Sequence, residues 1–284
     1  SVDGKVKLWT PQGQELQTLV GHKDAVNNVA FSPDGQTLAS ASDEETIRLW
    51  TLDGNLLQTL KHNARIRGVT FSPDGQTIAS SSTDKTIQLW NLQGEKLKTL
   101  KGHKKGWVNN VAFSPDGQSL ASASDDKTVK LWSLQGDVLQ TLEGHEDEVL
   151  QLAFSPGGET LASAGKDKTI KLWNLQGEEL RTIEGHKEPI YSVTFSPDGR
   201  QLASTSLDNT VKLWTSSGTL VTTLKGHDAG TWSVDFSPDG QVLASSSDDA
   251  TVRLWRLDKI PQTLHGYQGP GTNLALNQQT VAAG

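Results

Sequence analysis

The chain has 284 residues, a formal net charge of −7, 34% hydrophobic residues and 6% aromatic residues. No stretch is apolar enough to span a membrane, and no basic segment followed by an apolar one marks a secretory leader. The acidic balance disfavours a nucleic-acid partner, because phosphate binding requires a basic surface. Cysteine is absent, which excludes disulfides and thiolate chemistry, and the absence of methionine leads us to expect that the chain is part of a longer polypeptide.

The first complete repeat, from about residue 21 to residue 61, is built from four short strand-like segments. These segments are residues 25–31, 37–42, 46–50 and 56–60. Between the first two, Pro33 restricts φ and Gly35 accepts a positive φ, as a tight turn requires. The third segment is rich in β-branched and aromatic side chains, and an Asp-Gly turn leads into the fourth. No window has a helical period of useful length, so we predict an all-β repeat of four antiparallel strands.

The repeat returns along the chain with a period of 40 to 42 residues. Its clearest mark is a Leu-Trp pair, whose tryptophans are Trp9, Trp50, Trp90, Trp132, Trp173, Trp214 and Trp255. The turn segment Phe-Ser-Pro-Asp-Gly begins at Phe31, Phe71, Phe113, Phe195 and Phe236, with a Phe-Ser-Pro-Gly-Gly variant at Phe154. Repeats of this length are typical of the four-stranded blades of β-propellers.

A histidine about 28 residues before a Leu-Trp pair, with a serine and an aspartate between them, resembles the WD40 (WD-repeat) family. The resemblance extends over essentially all 284 residues, although the residue after each tryptophan is never aspartate, a departure that the family tolerates. Such regular repeats resemble those of bacterial multidomain signalling proteins, in which the propeller is a sensor or an assembly platform. Six complete blades are expected at about residues 21–61, 62–101, 102–143, 144–184, 185–225 and 226–264.

The two ends of the chain each contain half a repeat. Residues 272–277 and 278–284 resemble the first and second strands of a blade, whereas residues 3–9 and 15–20 resemble the third and fourth. We predict that residues 265–284 and 1–20 form a seventh blade, which removes two exposed sheet edges. In this copy Ala283 replaces the usual serine. The prediction is therefore a single seven-bladed β-propeller domain over residues 1–284.

Four residue types recur at equivalent places, and the resemblance implies that they form a buried hydrogen-bonded chain from Trp through Ser and His to Asp in each blade. The expected members are His22, Ser40 and Trp50; His62, Ser80, Asp84 and Trp90; His103, Ser122, Asp126 and Trp132; His145, Ser163, Asp167 and Trp173; His186, Ser204, Asp208 and Trp214; His227, Ser245, Asp249 and Trp255; and His265, Asp3 and Trp9. Glu44 replaces one aspartate and Lys61 replaces the glycine before His62. These neighbouring changes indicate either a modified surface or drift.

The repetition of these polar groups argues against an enzyme. A catalytic triad needs one activated nucleophile in one cleft, whereas these groups occur in copies at equal intervals. The histidines belong to different blades and no cysteine is available, so we predict no metal site, no catalytic residues and no cofactor.

A basic residue also recurs two positions before the tryptophans. The residues are Lys7, Arg48, Lys130, Lys171, Lys212 and Arg253, with Gln88 as the exception. Because they are spread evenly through an acidic protein, we expect them to pair with neighbouring carboxylates rather than to bind nucleic acid.

The positions at which the repeats differ are the candidates for partner binding. Loops that join fourth to first strands and second to third strands meet at one face, which is the family's usual partner surface. The candidate residues there are Arg65, Arg67, Trp107, Asn109, Leu150, Lys166, Tyr191, Leu207 and Trp232. Trp, Tyr and Arg dominate the energetics of interfaces. The alternative that these are ordinary loop residues, or that the aromatic rings pack between blades, stays open.

We expect a non-catalytic interaction scaffold or sensor that binds a protein or peptide on this face. The expected module is monomeric and cytoplasmic, with neither nucleic acid nor membrane as a partner. Two alternatives remain at this point. One is a small-ligand or glycan receptor with Trp107 and Trp232 as stacking platforms. The other is an array of recent duplication or engineering with little selected function.

Overall fold

The structure is a computed structural model that describes residues 1–257, 262–264, 274–276 and 280–283. Within these segments it contains 28 β-strands and no helix. Consequently, the described residues include no helix long and apolar enough to cross a membrane. The strands form seven four-stranded antiparallel sheets, which we number as blades 1 to 7.

In chain order, two strands precede blade 1: β1 (Lys5–Trp9) and β2 (Glu15–Val20). Blade 1 comprises β3 (Val26–Phe31), β4 (Thr37–Ser42), β5 (Thr46–Thr51) and β6 (Leu56–Lys61). Blade 2 comprises β7 (Ile66–Phe71), β8 (Thr77–Ser82), β9 (Thr86–Asn91) and β10 (Lys96–Lys101). Blade 3 comprises β11 (Val108–Phe113), β12 (Ser119–Ser124), β13 (Thr128–Ser133) and β14 (Val138–Glu143).

The later blades follow the same plan. Blade 4 comprises β15 (Val149–Phe154), β16 (Thr160–Gly165), β17 (Ile170–Asn174) and β18 (Glu179–Ile183). Blade 5 comprises β19 (Ile190–Phe195), β20 (Gln201–Ser206), β21 (Thr210–Thr215) and β22 (Leu220–Lys225). Blade 6 comprises β23 (Thr231–Phe236), β24 (Val242–Ser247), β25 (Val252–Arg256) and β26 (Gln262–Leu264). Two short strands complete the chain: β27 (Leu274–Leu276) and β28 (Val281–Ala283).

Blade 7 is shared between the two ends of the chain, with the strand order β2-β1-β28-β27. In its central pairing, Lys7 lies opposite Ala283 and Trp9 lies opposite Val281. The first strands of neighbouring blades contact one another in sequence, and β27 contacts both β23 and β3, so the seven blades close into a ring. The predicted seven-bladed propeller with a blade built from both ends is confirmed.

The hydrophobic core lies between blades rather than within one of them. Ile47 and Leu60 of blade 1 form one buried cluster with Ile66, Ile78 and Trp90 of blade 2. Equivalent clusters of buried residues recur between the other neighbouring blades. Because each sheet buries its faces against two neighbours, a single blade has no core of its own.

The turn between first and second strands follows the predicted chemistry. In blade 1, Asp34 accepts hydrogen bonds from the Ser32 hydroxyl at 2.5 Å and from the Gln36 backbone N–H at 3.0 Å. Gly35 has a φ of 68°, a conformation that costs glycine little and other residues more. These turns lie at the end of the strands opposite the loops that carry the variable residues. We call the end that carries the variable loops the loop face.

Candidate functional site

Each first strand of blades 1 to 6 contains a β-bulge at its second residue. In blade 1, Val26 pairs with Ser42 and Asn28 pairs with Ala41, so Asn27 has no partner across the ladder. The same irregularity recurs in the other five blades. The six bulged residues, which we call the mouth ring, are Asn27, Arg67, Asn109, Leu150, Tyr191 and Trp232. A bulge interrupts the alternation of side chains, so a bulged residue and its successor can face the same side.

The mouth ring surrounds a cavity of about 220 Å³ at the centre of the loop face. The cavity is lined by Asn27, Asn28, Arg67, Asn109, Asn110, Leu150, Gln151, Tyr191, Ser192, Trp232 and Ser233. Five of the nine predicted partner-binding residues therefore come together: Arg67, Asn109, Leu150, Tyr191 and Trp232. The second layer of lining residues was missed, because only the bulge turns these polar side chains inward and nothing in the sequence marks a bulge.

The other four predicted residues lie on loops beside the mouth ring. The Arg65 guanidinium is 3.9 Å from the Asp43 carboxylate, and the Lys166 ammonium is 2.5 Å from the Glu148 carboxylate. Leu207 lies beside Gly230, since a Cβ added to that glycine would meet the Leu207 side chain. The fourth residue, Trp107, lies just before β11, and its side chain is 45% exposed.

Aromatic and cationic side chains at the mouth hold one another in place. The Arg67 guanidinium carbon lies 5.5 Å from the Trp107 ring centroid. The Tyr191 and Trp232 rings are 4.2 Å apart between centroids and cross at 67°. The Trp232 indole N–H also donates to the Asp248 carboxylate at 2.6 Å. Such contacts order side chains before a partner arrives and so reduce the entropy lost on binding.

The loop from Gly102 to Trp107 has one residue more than its counterparts. His103 is 19 residues before Ser122, whereas His22 is 18 residues before Ser40. The added length is accommodated by Gly106, which has a φ of 65° and whose Cβ would collide with the Asp125 side chain. The Asp125 carboxylate accepts the Trp107 backbone N–H at 3.0 Å. The 42-residue interval between Trp90 and Trp132 was the sequence signal of this insertion.

Three members of the mouth ring donate to a carboxylate of their own blade. Asn27 donates to Asp43 at 2.6 Å, and Asn109 donates to Asp125 at 2.7 Å. Trp232 and Asp248 form the third pair. In each case the acceptor is the first residue after the second strand. The corresponding residues of blades 2, 4 and 5 are Thr83, Lys166 and Leu207.

The polar chain inside the blade is complete in blades 3 to 6. In these blades histidine Nδ1 lies 2.7–2.9 Å from the aspartate and Nε2 lies 2.7–2.8 Å from the serine hydroxyl. The tryptophan N–H donates to the same hydroxyl at 2.7–2.8 Å. Burial lowers the pKa of His186 and of His227, although the paired carboxylates act in the opposite direction. The lowered pKa favours the neutral form of these two rings, and in the tautomer that satisfies both partners Nδ1–H donates to the carboxylate.

Blade 1 keeps the chain despite Glu44, while blade 2 loses part of it. The Glu44 carboxylate reaches His22 at 2.6 Å, and the serine and tryptophan contacts are retained. In blade 2, His62 Nδ1 is 3.6 Å from Asp84, and the buried Nε2 has no hydrogen-bond partner in the part of the chain that the structure describes. The Trp90 N–H still donates to the Ser80 hydroxyl at 3.0 Å.

Blade 7 lacks the central acceptor of the chain. Ala283 stands where the other blades have serine, and the buried Trp9 indole N–H has no hydrogen-bond partner among the described residues. Asp3 accepts the Lys5 backbone N–H at 3.1 Å. The predicted histidine of this blade, His265, lies outside the described residues.

The expected pairing of the recurrent basic residues with carboxylates is correct for only part of the set. Lys7 contacts Glu15 at 2.7 Å, Arg48 contacts Glu44 at 3.3 Å, and Lys171 contacts Glu179 at 2.9 Å. The expectation is wrong for Lys130 and Lys212, which donate to Thr141 and Thr223. It is also wrong for Arg253, which forms no ion pair within 4 Å among the described residues and whose buried Nε has no hydrogen-bond partner there. In blades 3 and 5, Val138 and Leu220 stand where blades 7 and 4 have Glu15 and Glu179.

No group of three or more His, Asp or Glu side chains within the described part of the chain could hold a metal ion.

Comparison with known proteins gives six matches to one family model, described as WD domain, G-beta repeat. The matched segments are residues 13–51, 54–91, 94–133, 136–174, 177–215 and 218–256, which amount to more than half of the chain. An uncharacterized WD repeat-containing protein of Synechocystis is 55% identical over 53 residues, which are 18% of this chain and 15% of that protein.

Two fungal proteins are similar over segments of comparable length. The nuclear distribution protein nudF of Aspergillus terreus is 41% identical over 64 residues, which are 22% of this chain and 14% of that protein. A nuclear distribution protein of Tuber melanosporum is 45% identical over 62 residues, which are 21% of this chain and 14% of that protein. The matches therefore span only 14–15% of the length of these relatives.

Proposed function

Because the chain belongs to the WD40 repeat family, we propose that it is a non-catalytic interaction module that binds a protein or peptide at the mouth ring. Propellers of this family generally act as scaffolds for protein interactions. We propose further that residues 1–284 act as one monomeric domain in the cytoplasm, without a cofactor and without nucleic acid or membrane as a partner.

The observation that carries this proposal is the diversity of the mouth ring within an otherwise regular array. Six blades contribute the side chains of Asn, Arg, Asn, Leu, Tyr and Trp to equivalent bulges around one cavity. Asn27 and Asn109 donate to the backbone of the next blade, at Ile66 and Val149. None of the six residues has a ladder partner, however, so strand pairing does not dictate their identity. Variable side chains on a rigid frame are the usual arrangement of a recognition surface, and Trp, Tyr and Arg are the types that contribute most to interfaces.

The opposite end of the propeller is a weaker candidate for selective binding. There the same Ser–Asp hydrogen bond recurs in blade after blade, at 2.5 Å in blades 1 to 3 and 2.6 Å in blades 5 and 6. Turn geometry accounts for these aspartates. A ring of identical groups distinguishes partners poorly, whereas the mouth ring presents a different group from almost every blade.

The size of the cavity favours a peptide side chain over an enclosed small molecule. Its volume of about 220 Å³ is below the range of about 300–1,000 Å³ found for pockets that enclose drug-sized ligands. One or two inserted side chains would fill it, while the rest of the partner would lie on the surrounding loops. The exposed Trp107 ring provides such a contact outside the cavity.

Site-specific crosslinking tests the face on which the partner binds. We would replace Trp107 with photoreactive benzoylphenylalanine and, as a matched control in the same blade, place it at the exposed Gln118 of the opposite end. After irradiation in source-cell extract, a discrete protein adduct is expected at position 107 and not at 118. Adducts at 118 alone would overturn the proposed face. Carbohydrate adducts at position 107, without a protein, would favour a glycan receptor.

A further inference from the structure

We propose that the segment received at the mouth ring is an acidic peptide, whose carboxylates are bound by Arg67 and by a lysine-rich strip on blades 2 and 3. This inference rests on the proposed function, because it specifies the chemistry of the partner at the same face. Two observations support an acidic peptide: the missing carboxylate beside Arg67 and the local excess of unpaired cations.

Arg67 is a mouth-ring donor that lacks the carboxylate its counterparts have. Asn27, Asn109 and Trp232 each donate to an aspartate at the first position after the second strand. Blade 2 has Thr83 at that position. Arg67 forms no ion pair within 4 Å with any of the described residues. The guanidinium is held against the Trp107 ring and keeps its donors available for a carboxylate from outside.

The sector around Arg67 has a charge opposite to that of the rest of the chain. Residues 61–105 contain nine Lys and Arg and three Asp and Glu, whereas the chain as a whole contains 26 and 33. One of the three acidic residues, Asp74, is in the turn at the opposite end of blade 2. The positive charge is therefore concentrated on blade 2 and on the loop that leads from it into blade 3.

Five exposed lysines form a strip that runs outward from Trp107. We define the lysine strip as Lys85, Lys96, Lys101, Lys104 and Lys105. Lys85, Lys96 and Lys101 line a groove between blades 2 and 3, and the wall of this groove includes Gly102 and His103. The same loop continues through Lys104 and Lys105 to Trp107, which contacts Arg67. The groove, the loop and the mouth ring are thus one continuous surface.

None of the lysines of the strip is neutralised within the described residues. Their ammonium groups take part in none of the ion pairs within 4 Å. The groove between blades 4 and 5 differs, because its Lys168 and Lys171 contact Glu188 and Glu179 at 3.4 and 2.9 Å. The lysines at the groove between blades 5 and 6, Lys187, Lys212 and Lys225, also take part in none of these ion pairs. The lysine strip differs from that groove because it continues through Lys104 and Lys105 to Trp107 and Arg67.

A short acidic peptide fits this distribution better than a nucleic acid. Outside residues 61–105 the chain carries 30 acidic and 17 basic side chains. On the loop face, Asp43, Asp125 and Asp248 lie next to the mouth ring and would repel a phosphate backbone extending beyond the strip. A peptide can place carboxylates on the strip and uncharged residues against Trp107 and Tyr191.

The partner chemistry is tested by selecting random 12-residue peptides displayed on phage against the unaltered chain. An excess of Asp and Glu over the unselected library is expected among enriched peptides. Enrichment of uncharged or basic peptides would overturn this inference and leave the proposed function standing. A complete lack of enrichment would count against both. A fluorescein-labelled 12-nucleotide oligouridylate that binds more tightly than the enriched peptides would also overturn it.

Two substitutions then test the role of Arg67, with the enriched peptides labelled for fluorescence anisotropy. Arg67→Gln removes the cation, and Thr83→Asp supplies the internal carboxylate that blades 1, 3 and 6 have. Each is expected to raise Kd about tenfold, with a smaller effect at high salt. Leu207→Asp is the matched control, since it adds the same charge at the equivalent turn of blade 5, and less than about a twofold change is expected. Equal effects of Thr83→Asp and Leu207→Asp would contradict the assignment.

The strip is tested by Lys96→Gln combined with Lys101→Gln, which should raise Kd about fivefold. The control pair is Lys187→Gln with Lys225→Gln, because these lysines line the equivalent groove between blades 5 and 6. A change as large in the control pair would show that overall charge, and not the strip, is responsible. Thermal unfolding of each variant verifies that it is folded.

Discussion

Blades 5 and 2 have the same four strands and the same Trp–Ser hydrogen bond, yet only blade 5 has a complete polar chain. In blade 5, His186 contacts both Asp208 and Ser204. In blade 2, the His62 Nε2 atom is buried without a partner. An unsatisfied buried polar group costs about 1–3 kcal/mol. Blade 2 nevertheless keeps its ladder and its apolar cluster with blade 1. Apolar packing between blades therefore specifies the sheet, and the polar chain adds stability to it.

The largest expected effect is a loss of stability in acid, because it acts on all the intact blades at once. Burial lowers the pKa of His186 and His227, so their neutral forms contribute stability that is lost as the pH falls below the unfolded-state value of about 6.5. Burial opposes ionisation of Asp249, but hydrogen bonds from Thr251 and His227 lower its pKa to about 2. Its contribution is lost as the pH falls from about 4 towards 2.

We therefore expect the free energy of unfolding, measured by urea titration, to decrease continuously from about pH 7 to about pH 3. Asp249→Asn should flatten the acidic part of this curve, because the variant no longer has this low-pKa carboxylate. A curve for the variant that runs parallel to that of the unaltered chain would contradict the assignment of the acid sensitivity to these chains.

The next largest effect is the difference in stability lost when His186 or His62 is replaced by alanine. His186→Ala removes two hydrogen bonds and leaves buried partners unsatisfied, so a loss of about 3 kcal/mol in the free energy of unfolding is expected. His62→Ala removes a similar volume and the contacts of Nδ1 with the Asn63 N–H and the Gln88 amide, but it breaks no hydrogen bond to a carboxylate or to the serine. The loss should therefore be smaller by at least about 1 kcal/mol. Equal losses in urea titrations of the two variants would show that the blade 2 histidine contributes as much as an intact one.

The smallest effect is a gain in stability through repair of blade 7. Ala283→Ser places a hydroxyl where the other blades have one, next to the Trp9 indole N–H, which has no partner among the described residues. We expect the free energy of unfolding to rise by about 0.5–1.5 kcal/mol. The control is the same change in a Trp9→Phe background, where no N–H is present and the gain should vanish. A gain that persists in that background would assign it to packing instead.

The repeats made the ring predictable, since Trp9, Trp255 and the half-repeats at both ends imply seven blades and the shared blade. Most of the mouth was predictable as well, because Arg67, Tyr191 and Trp232 stand at equivalent positions where neighbouring repeats differ. The second layer around the cavity was not, because a bulge depends on how two strands pair and leaves no pattern in either one. The loss of contacts at His62 was not predicted, although blade 2 departs from the repeat at Lys61 and at Gln88, whose side chain lies 3.4 Å from His62 Nδ1.

The bulge also has an evolutionary consequence. The ladder bonds of a first strand are made by residues on either side of the bulge, so a substitution at Arg67, Leu150 or Tyr191 leaves these bonds in place. Asn27 and Asn109 also donate to the next blade and are more constrained. A duplicated blade can thus acquire a new specificity by point substitution while it continues to fold like its parent. In such an array, duplication enlarges the set of recognisable partners, and stability does not have to be re-evolved each time.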